Sequence, residues 1–253
     1  MFALFQMMFD FIIKFIFICV MKITKGNHRL VMVFQGNSCN CGKSTLALKF
    51  ASLFGFDVLS FDKLRLLTHA GRNIWKCKTL KELDRMYDAY VKYCESRGIP
   101  VGAEFDGHKD YKSKAVDSKG KVVKGDHWAF STSNGINYCL CLIAINKKTN
   151  IMVDGLIAIK KQANVDFLMN LHKFHKAFFV YVNTPLEVCF ERQNLCNKGF
   201  KLTMEQIVNY SSNNLRFTDL VDTEISKIPQ LILSGMASCN WNICVVLVNY
   251  LLY

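Results

Sequence analysis

Acidic side chains are scarce in this chain: 20 Asp and Glu stand against 32 Lys and Arg in 253 residues, giving a formal net charge of +12 and a pI near 9.2. A balance of that sign argues against cationic partners and for polyanions, nucleotides and nucleic acid among them. A lysine-rich coding bias produces the same excess, so charge alone does not choose. Paired cysteines are missing as well. The eleven cysteines are an odd number with no C-x-x-C pair, which argues against a disulfide framework. Cys139-Leu140-Cys141 lies in an apolar run, where small buried thiols are expected rather than metal ligands. A reducing, cytoplasmic compartment is the expectation. The guanine-reading string N-K-x-D is also absent, which argues against a GTP-driven switch. No small-residue cleavage site follows the apolar stretch Met1 to Val20, and Gln6, Asp10 and Lys14 interrupt it. It is expected to be an extension outside the domain, with a membrane anchor as the alternative because its length is near the ~20 residues a bilayer needs. Met21 offers a natural start just before the first strand.

What is present is a phosphate-loop pattern. The apolar run Leu30 to Phe34 feeds Gln35-Gly36-Asn37-Ser38-Cys39-Asn40-Cys41-Gly42-Lys43-Ser44-Thr45, and Leu46, Ala47, Leu48, Phe50 and Leu53 follow at near-helical spacing. A buried strand, a glycine-bearing loop and a helix in that order place backbone N–H groups and a helix N-terminus against nucleotide phosphates. The expected binding residues are Gly36, Asn37, Ser38, Asn40, Gly42, Lys43, Ser44 and Thr45. Lys43 would follow the β/γ-phosphate oxygens and the Ser44 hydroxyl would hold Mg²⁺. Five residues separate Gly36 from Gly42 and Asn37 stands at the usual first-glycine position. A loop one residue longer is therefore expected, with Asn37 tolerating left-handed backbone angles at the turn.

Further along, Phe56 to Arg65 reads as a second strand ending near Asp62. The carboxyl ends of parallel strands gather at the ligand crevice, so Asp62 should face the phosphates, and Arg65 shares its face if a helix starts there. The alternative is a helix-capping Asp beside a solvated Arg. Leu80 to Glu95 is an amphipathic helix stopped by Arg97-Gly98-Ile99-Pro100. Residues 101–126 read as a hairpin insert or flap around the turn Asp117 to Lys121, and Trp128 to Asn146 as a buried helix. Asn150 to Gly155 is a third strand whose Asp154 would hold Mg²⁺ near Ser44. Val165 to Phe174 is the next helix and Ala177 to Val182 the next, fully buried strand. Thr184 is expected to cap a helix that starts at Pro185 and ends near Arg192. A polar stretch with Lys198-Gly199 joins it to a helix starting near Thr203, the two forming a lid. Asp219 to Ile225 is the expected last edge strand. The domain limits that follow are an extension over 1–20, one domain over 21–227 and an apolar tail over 228–253.

Gly42-Lys43-Ser44-Thr45, Asp62-x-x-Arg65, Val153-Asp154-Gly155 and Thr184-Pro185-Leu186-Glu187-Val188-Cys189-x-x-Arg192 with Lys198-Gly199 together resemble the P-loop kinase group of phage-type 5′-polynucleotide kinases and the related AAA-like and zeta-toxin-type small kinases. The resemblance runs from about Leu30 to Asp222. It implies a three-layer α/β/α sandwich with a mostly parallel sheet and a helical lid, ATP and Mg²⁺ as cofactors, and transfer of the γ-phosphoryl group to a 5′-hydroxyl polynucleotide end. Asp62 is implied as general base, Arg65 as clamp on the acceptor's phosphate, and Arg192 with Lys198 as lid cations. A lysine at the second lid position offers a point charge where the family has a planar fork. Nucleoside, nucleotide and sugar kinases use similar second-strand acids and lids. A small hydroxyl acceptor therefore stays open, as does a nucleotide-binding switch without catalysis.

Overall fold

The computed structural model describes residues 30–103, 115–117, 119–122, 133–146, 149–155, 158–175, 177–195 and 201–235. The apolar stretch 1–20, the tail beyond 235, Lys198 and most of the expected insert lie outside them. The strands are β1 (Val31–Gly36), β2 (Asp57–Ser60), β3 (Ile151–Asp154), β4 (Ala177–Asn183) and β5 (Gln230–Ser234). The helices are α1 (Lys43–Phe54), α2 (Phe61–His69), α3 (Leu80–Ser96), α4 (Ser133–Ile145), α5 (Gln162–His175), α6 (Leu186–Leu195) and α7 (Met204–Asn213).

The strands lie in the order β2-β3-β1-β4-β5, and every pairing within this sheet is parallel. Each strand is short and apolar, and the crossovers between them carry helices, as parallel pairing requires. Side chains alternate across β1. Val31 and Val33 join Leu64, Leu67, Leu83, Cys139, Phe167 and Phe179 in one core under α2 to α5, whereas Met32 and Phe34 join Leu46, Phe50, Val180, Cys189 and Ile207 in another under α1, α6 and α7. The result is a three-layer α/β/α sandwich of the P-loop NTPase type. Among the described residues no helix is long and apolar enough to cross a membrane.

Register brings the strand ends together. Ser60 and Phe34 both pair with Asp154, Gly36 pairs with Val182, and Asn183 with Ser234. All five strands therefore present their carboxyl ends at one edge, the ligand-binding edge of such sheets.

Two elements depart from expectation. The second strand stops at Ser60, whose Oγ accepts from the Lys63 N–H at 3.4 Å, so Asp62 sits in the first turn of α2 rather than on a strand. Ser60 is a strong N-cap residue, and Phe61, Leu64 and Leu67 supply a helical buried stripe that outweighs the extended reading. The last strand is Gln230–Ser234, not 219–225. In the earlier segment the Asp219 carboxylate binds the Arg216 N–H and guanidinium, Asp222 is left-handed at φ 56°, and the Thr223 hydroxyl caps a 3₁₀ turn over Glu224–Lys227. Local side-chain bonds of this kind compete directly with strand pairing. The sheet thus continues past residue 227, where the domain was expected to end.

Candidate active site

The loop between β1 and α1 runs from Asn37 to Gly42, because Gly36 is the last residue of β1. It is therefore not lengthened, and Asn37 occupies its first position without a left-handed backbone. That conformation falls instead on Asn40 (φ 60°) and Gly42 (φ 95°). Asn37 is buried and acts as a clamp: its Nδ2 donates to the Thr184 carbonyl at 2.6 Å, its Oδ1 accepts from the Thr184 N–H at 3.2 Å, and its own N–H donates to Val182 O at 3.1 Å. Ser38 is buried too and its hydroxyl donates to Ile207 O in α7. The Thr184 hydroxyl, expected to cap a helix, donates instead to the Cys41 carbonyl at 2.7 Å. β4 and α7 thereby hold the loop from outside.

Gly36 is needed for space. A Cβ there would collide with the Cys41 sulfur, which is fully buried against the end of β1. Burial pushes the Cys41 thiol up, against the lowering influence of the Lys43 charge and of the Lys43 and Ser38 N–H groups that face the sulfur. Gly235 closes the other side, since a Cβ there would meet Thr184 Oγ1 and the Cys41 carbonyl.

Lys43 opens α1 and is 7% exposed, and Asp154 at the end of β3 is 6% exposed. Lys43 Nζ lies 3.2 Å from Asp154 Oδ1 and 3.0 Å from Ser44 Oγ, and the Ser44 hydroxyl donates to the same Asp154 oxygen at 3.1 Å. Burial pulls the Lys43 pKa down, but the carboxylates of Asp154 and then Asp62, with the Cys41 thiol, more than offset that. The ammonium is held charged above the ordinary lysine range. The N-cap of α1 is Gly42, which supplies no side-chain bond, and no acidic residue lies in the first turn. The positive end of the helix is thus left to an anionic ligand.

Asp62 is exposed, within electrostatic reach of Lys43 on one side and Tyr87 of α3 on the other. Burial first, and the Asp62 charge second, raise the Tyr87 pKa. Lys63 pairs with Asp84 of α3 at 2.6 Å and stands 5.1 Å from the Tyr87 ring centre, which fixes α2 against α3 next to Asp62. Arg65 lies one turn along α2, half-buried. Thr45 is exposed at the start of α1.

Arg192 does not stand over the loop as a free lid cation. Its Nη2 donates to Gly235 O at 2.7 Å and its Nη1 to Cys41 O at 3.4 Å. The guanidinium is docked beside the loop, and Lys198, its expected companion, lies outside the described residues. Sequence reasoning did not identify the Asn37–Thr184 clamp, Gly235 or Tyr87. Only Gly235, a glycine directly after the apolar run Leu231 to Ser234, carries a local signal, and in the sequence that run reads as part of an apolar tail.

The donor set suits Mg²⁺. Ser44 Oγ and Asp154 Oδ1 are hard oxygen donors 3.1 Å apart, close to the separation of about 3.0 Å between neighbouring ligands of an octahedral ion with ~2.1 Å bonds. No group of three or more His, Cys, Asp or Glu able to hold a metal occurs among the described residues. A bound ion would therefore take its remaining ligands from water and phosphate, as magnesium does in nucleotide sites.

No protein-family model matches this chain, and no curated protein matches it. Several solved structures are similar in backbone. A gluconokinase from Sinorhizobium meliloti 1021 matches over 83% of this chain and 84% of its own, at 14% identity and a TM-score of 0.41. TT1252 from Thermus thermophilus matches over 83% and 91%, at 15% identity and a TM-score of 0.42. A deoxyadenosine kinase from M. mycoides matches over 83% and 92%, at 9% identity and a TM-score of 0.36. Likeness at this level bears on none of the site's chemistry.

Proposed function

We propose that this protein is a phosphotransferase that moves the γ-phosphoryl group of ATP to a hydroxyl, with a 5′-hydroxyl polynucleotide end as the preferred acceptor. The observation that carries the reading is the Lys43–Ser44–Asp154 triangle at the carboxyl edge of the sheet, with Asp62 close enough to act on the Lys43 charge. Phosphoryl transfer asks little covalent chemistry of a protein and much positioning and charge neutralisation. Lys43 is a charged ammonium at the helix N-terminus, suited to follow the β/γ oxygens. Ser44 and Asp154 would hold Mg²⁺, which when bound neutralises phosphate charge and orients the transferring group. Asp62, exposed and anionic, is suited to accept the proton of the attacking hydroxyl. Arg65, on the same helix, is assigned to the acceptor's phosphate, and Lys198 to the nucleotide side, while Arg192 supports the loop through the Cys41 carbonyl.

The test is incubation with γ-labelled ATP and a panel of 5′-hydroxyl DNA, 5′-hydroxyl RNA, nucleosides and sugars. Transfer to oligonucleotides is expected. Asp62→Asn should keep ATP binding and lose most turnover. Arg65→Ala should raise the KM for a 5′-hydroxyl acceptor bearing a 3′-phosphate while leaving that for ATP nearly unchanged. Equal phosphorylation of an unphosphorylated nucleoside or a sugar, with Arg65→Ala affecting all acceptors alike, replaces the polynucleotide with a small-molecule acceptor. ATP binding without transfer to any acceptor makes the protein a nucleotide-binding switch.

A further inference from the structure

Beyond the far end of α2 lies a basic surface that the transfer chemistry does not use. Arg72 follows the end of α2 and Arg97 caps α3, and both guanidinium groups approach one ring: Arg72 Cζ lies 5.9 Å and Arg97 Cζ 5.8 Å from the centre of Tyr93. All three residues are exposed, Tyr93 by 40%. Among the described residues neither arginine has a carboxylate within salt-bridge distance. The ring is thus a common seat for two guanidinium groups, a contact that leaves their N–H forks for other acceptors.

A second segment enlarges the patch. Val116 and Val122 pair across a turn whose Lys119, Gly120 and Lys121 are exposed. That turn is seated beside Arg72: Trp75 Nε1 donates to Val116 O at 3.2 Å, and a Cβ on Gly120 would lie 3.0 Å from Asn73 Nδ2. The acid within the turn, Asp117, is engaged internally, its Oδ1 accepting from the Lys119 and Lys121 N–H groups. Of the other nearby acids, Glu95 and Asp88 sit on α3 among Lys92, Tyr93 and Arg97. Two arginines therefore flank an exposed aromatic ring, and two lysines extend the basic surface on the turn seated beside Asn73 and Trp75.

We infer that Arg72, Tyr93, Arg97, Lys119 and Lys121 form a binding surface for the backbone and bases of single-stranded nucleic acid. The placement relative to Asp62 gives it a role. At about 1.5 Å per residue, α2 rises on the order of 10 Å from Asp62 to His69, roughly three stacked nucleotides at ~3.4 Å each, before the left-handed turn at Gly71 delivers Arg72. A strand with its 5′ end at Asp62 can follow α2 and α3 to the arginines, and a mononucleotide cannot reach them. Phosphates would meet the cations, and a base would stack on Tyr93, the combination that proteins use to hold single strands. The surface deepens the polynucleotide reading and depends on it for the position of the 5′ end, but binding is measured without transfer.

The experiment follows a fluorescein-labelled 12-nucleotide single-stranded DNA by anisotropy across a KCl series, using full-length protein. Four phosphate contacts at ~0.7 each predict a slope of log K against log salt near −2.8. R72Q/R97Q should lower its magnitude by about 1.4, an affinity loss of about 25-fold at 0.1 M relative to 1 M salt. R72K/R97K should restore most of the slope, showing that the protein is folded and that charge is what is read. K160Q/K161Q, which removes two exposed charges elsewhere, should change nothing. Y93A should weaken the 12-mer at every salt concentration while leaving polyglutamate binding as it was. A wild-type slope no steeper than about −0.7, an unchanged slope in R72Q/R97Q, or an equal loss in K160Q/K161Q overturns the inference, and polyglutamate binding as tight as the 12-mer replaces nucleic acid with any polyanion. Tight 12-mer binding with no phosphorylation leaves the surface standing and removes the kinase acceptor. Phosphorylation of the 12-mer with a KM indifferent to R72Q/R97Q does the reverse.

Discussion

Asp154→Asn isolates the pair on which the site turns. The substitution keeps shape and one hydrogen-bond acceptor, and removes the charge 3.2 Å from the Lys43 ammonium. With side chains only 9% and 7% exposed, the pair is worth about 5 kcal/mol of Coulomb attraction at an effective dielectric of ~20. Removing one member of a buried pair typically costs ~3–5 kcal/mol. Because the amide still accepts from Lys43 and Ser44, the lower end, about 3 kcal/mol, is expected. Urea unfolding followed by circular dichroism at pH 7.5 reads this as a midpoint about 1 M lower, at an m of ~3 kcal/mol/M. The sign of the pH dependence follows from the raised Lys43 pKa. A raised folded pKa contributes stability that is fully present below the unfolded lysine value, ~10.4, and is lost as pH rises toward the folded one. The gap between wild type and variant should therefore stay constant from pH 7 to about 10 and narrow above that. The Mg²⁺ concentration for half-maximal transfer should rise in the same variant. A midpoint within about 0.3 M of wild type, with unchanged Mg²⁺ dependence, would refute both the buried pair and the metal assignment.

Lys43→Ala should reduce transfer by roughly 10²-fold or more, mainly in turnover, because it removes a charge that follows the phosphates into the transition state; normal turnover in purified variant would place the active site elsewhere. Thr184→Val should loosen the loop by deleting the 2.7 Å bond to the Cys41 carbonyl, at a cost of about 1–3 kcal/mol for a buried acceptor left unpaired. It should also weaken ATP affinity measured by calorimetry, and unchanged stability and affinity would show that the clamp is incidental.

The parts of this site that follow chain order were legible in the sequence. Strand, loop, glycine, lysine and hydroxyl occur within sixteen residues, and each has a local cause: an apolar run, a left-handed glycine, a helical repeat. Asp154 was legible because an apolar strand ending in Asp-Gly carries its acid to the sheet edge, and Gly155 has no room for a Cβ against Phe61. The final strand was not legible. Asp219 to Ile225 and Gln230 to Ser234 are both short, with apolar and polar residues mixed, and the choice between them rests on which pairs with β4. That pairing spans about fifty residues, and no local pattern records it. Arg192 was placed correctly at the end of its helix, but its partners, the carbonyls of Cys41 and Gly235, come from segments far away in sequence.

Asn37 makes the same point within the motif itself. A glycine is usual at the loop's first position, and from sequence alone an asparagine there suggests glycine-like tolerance of positive φ. The structure gives that conformation to Asn40 and Gly42 and uses Asn37 for its amide, which binds the Thr184 backbone in both directions. Two hydrogen bonds from one buried side chain tie the phosphate loop to the end of β4, the Thr184 hydroxyl adds a third to Cys41, and Gly235 allows β5 to close against them. A loop fixed at both its first and its fifth residue keeps its geometry before any ligand binds. That is the condition under which fixed N–H dipoles are most effective at developing charge. Asn37 thus holds the loop through its side chain at the position where the motif usually has a glycine, and the loop is not lengthened.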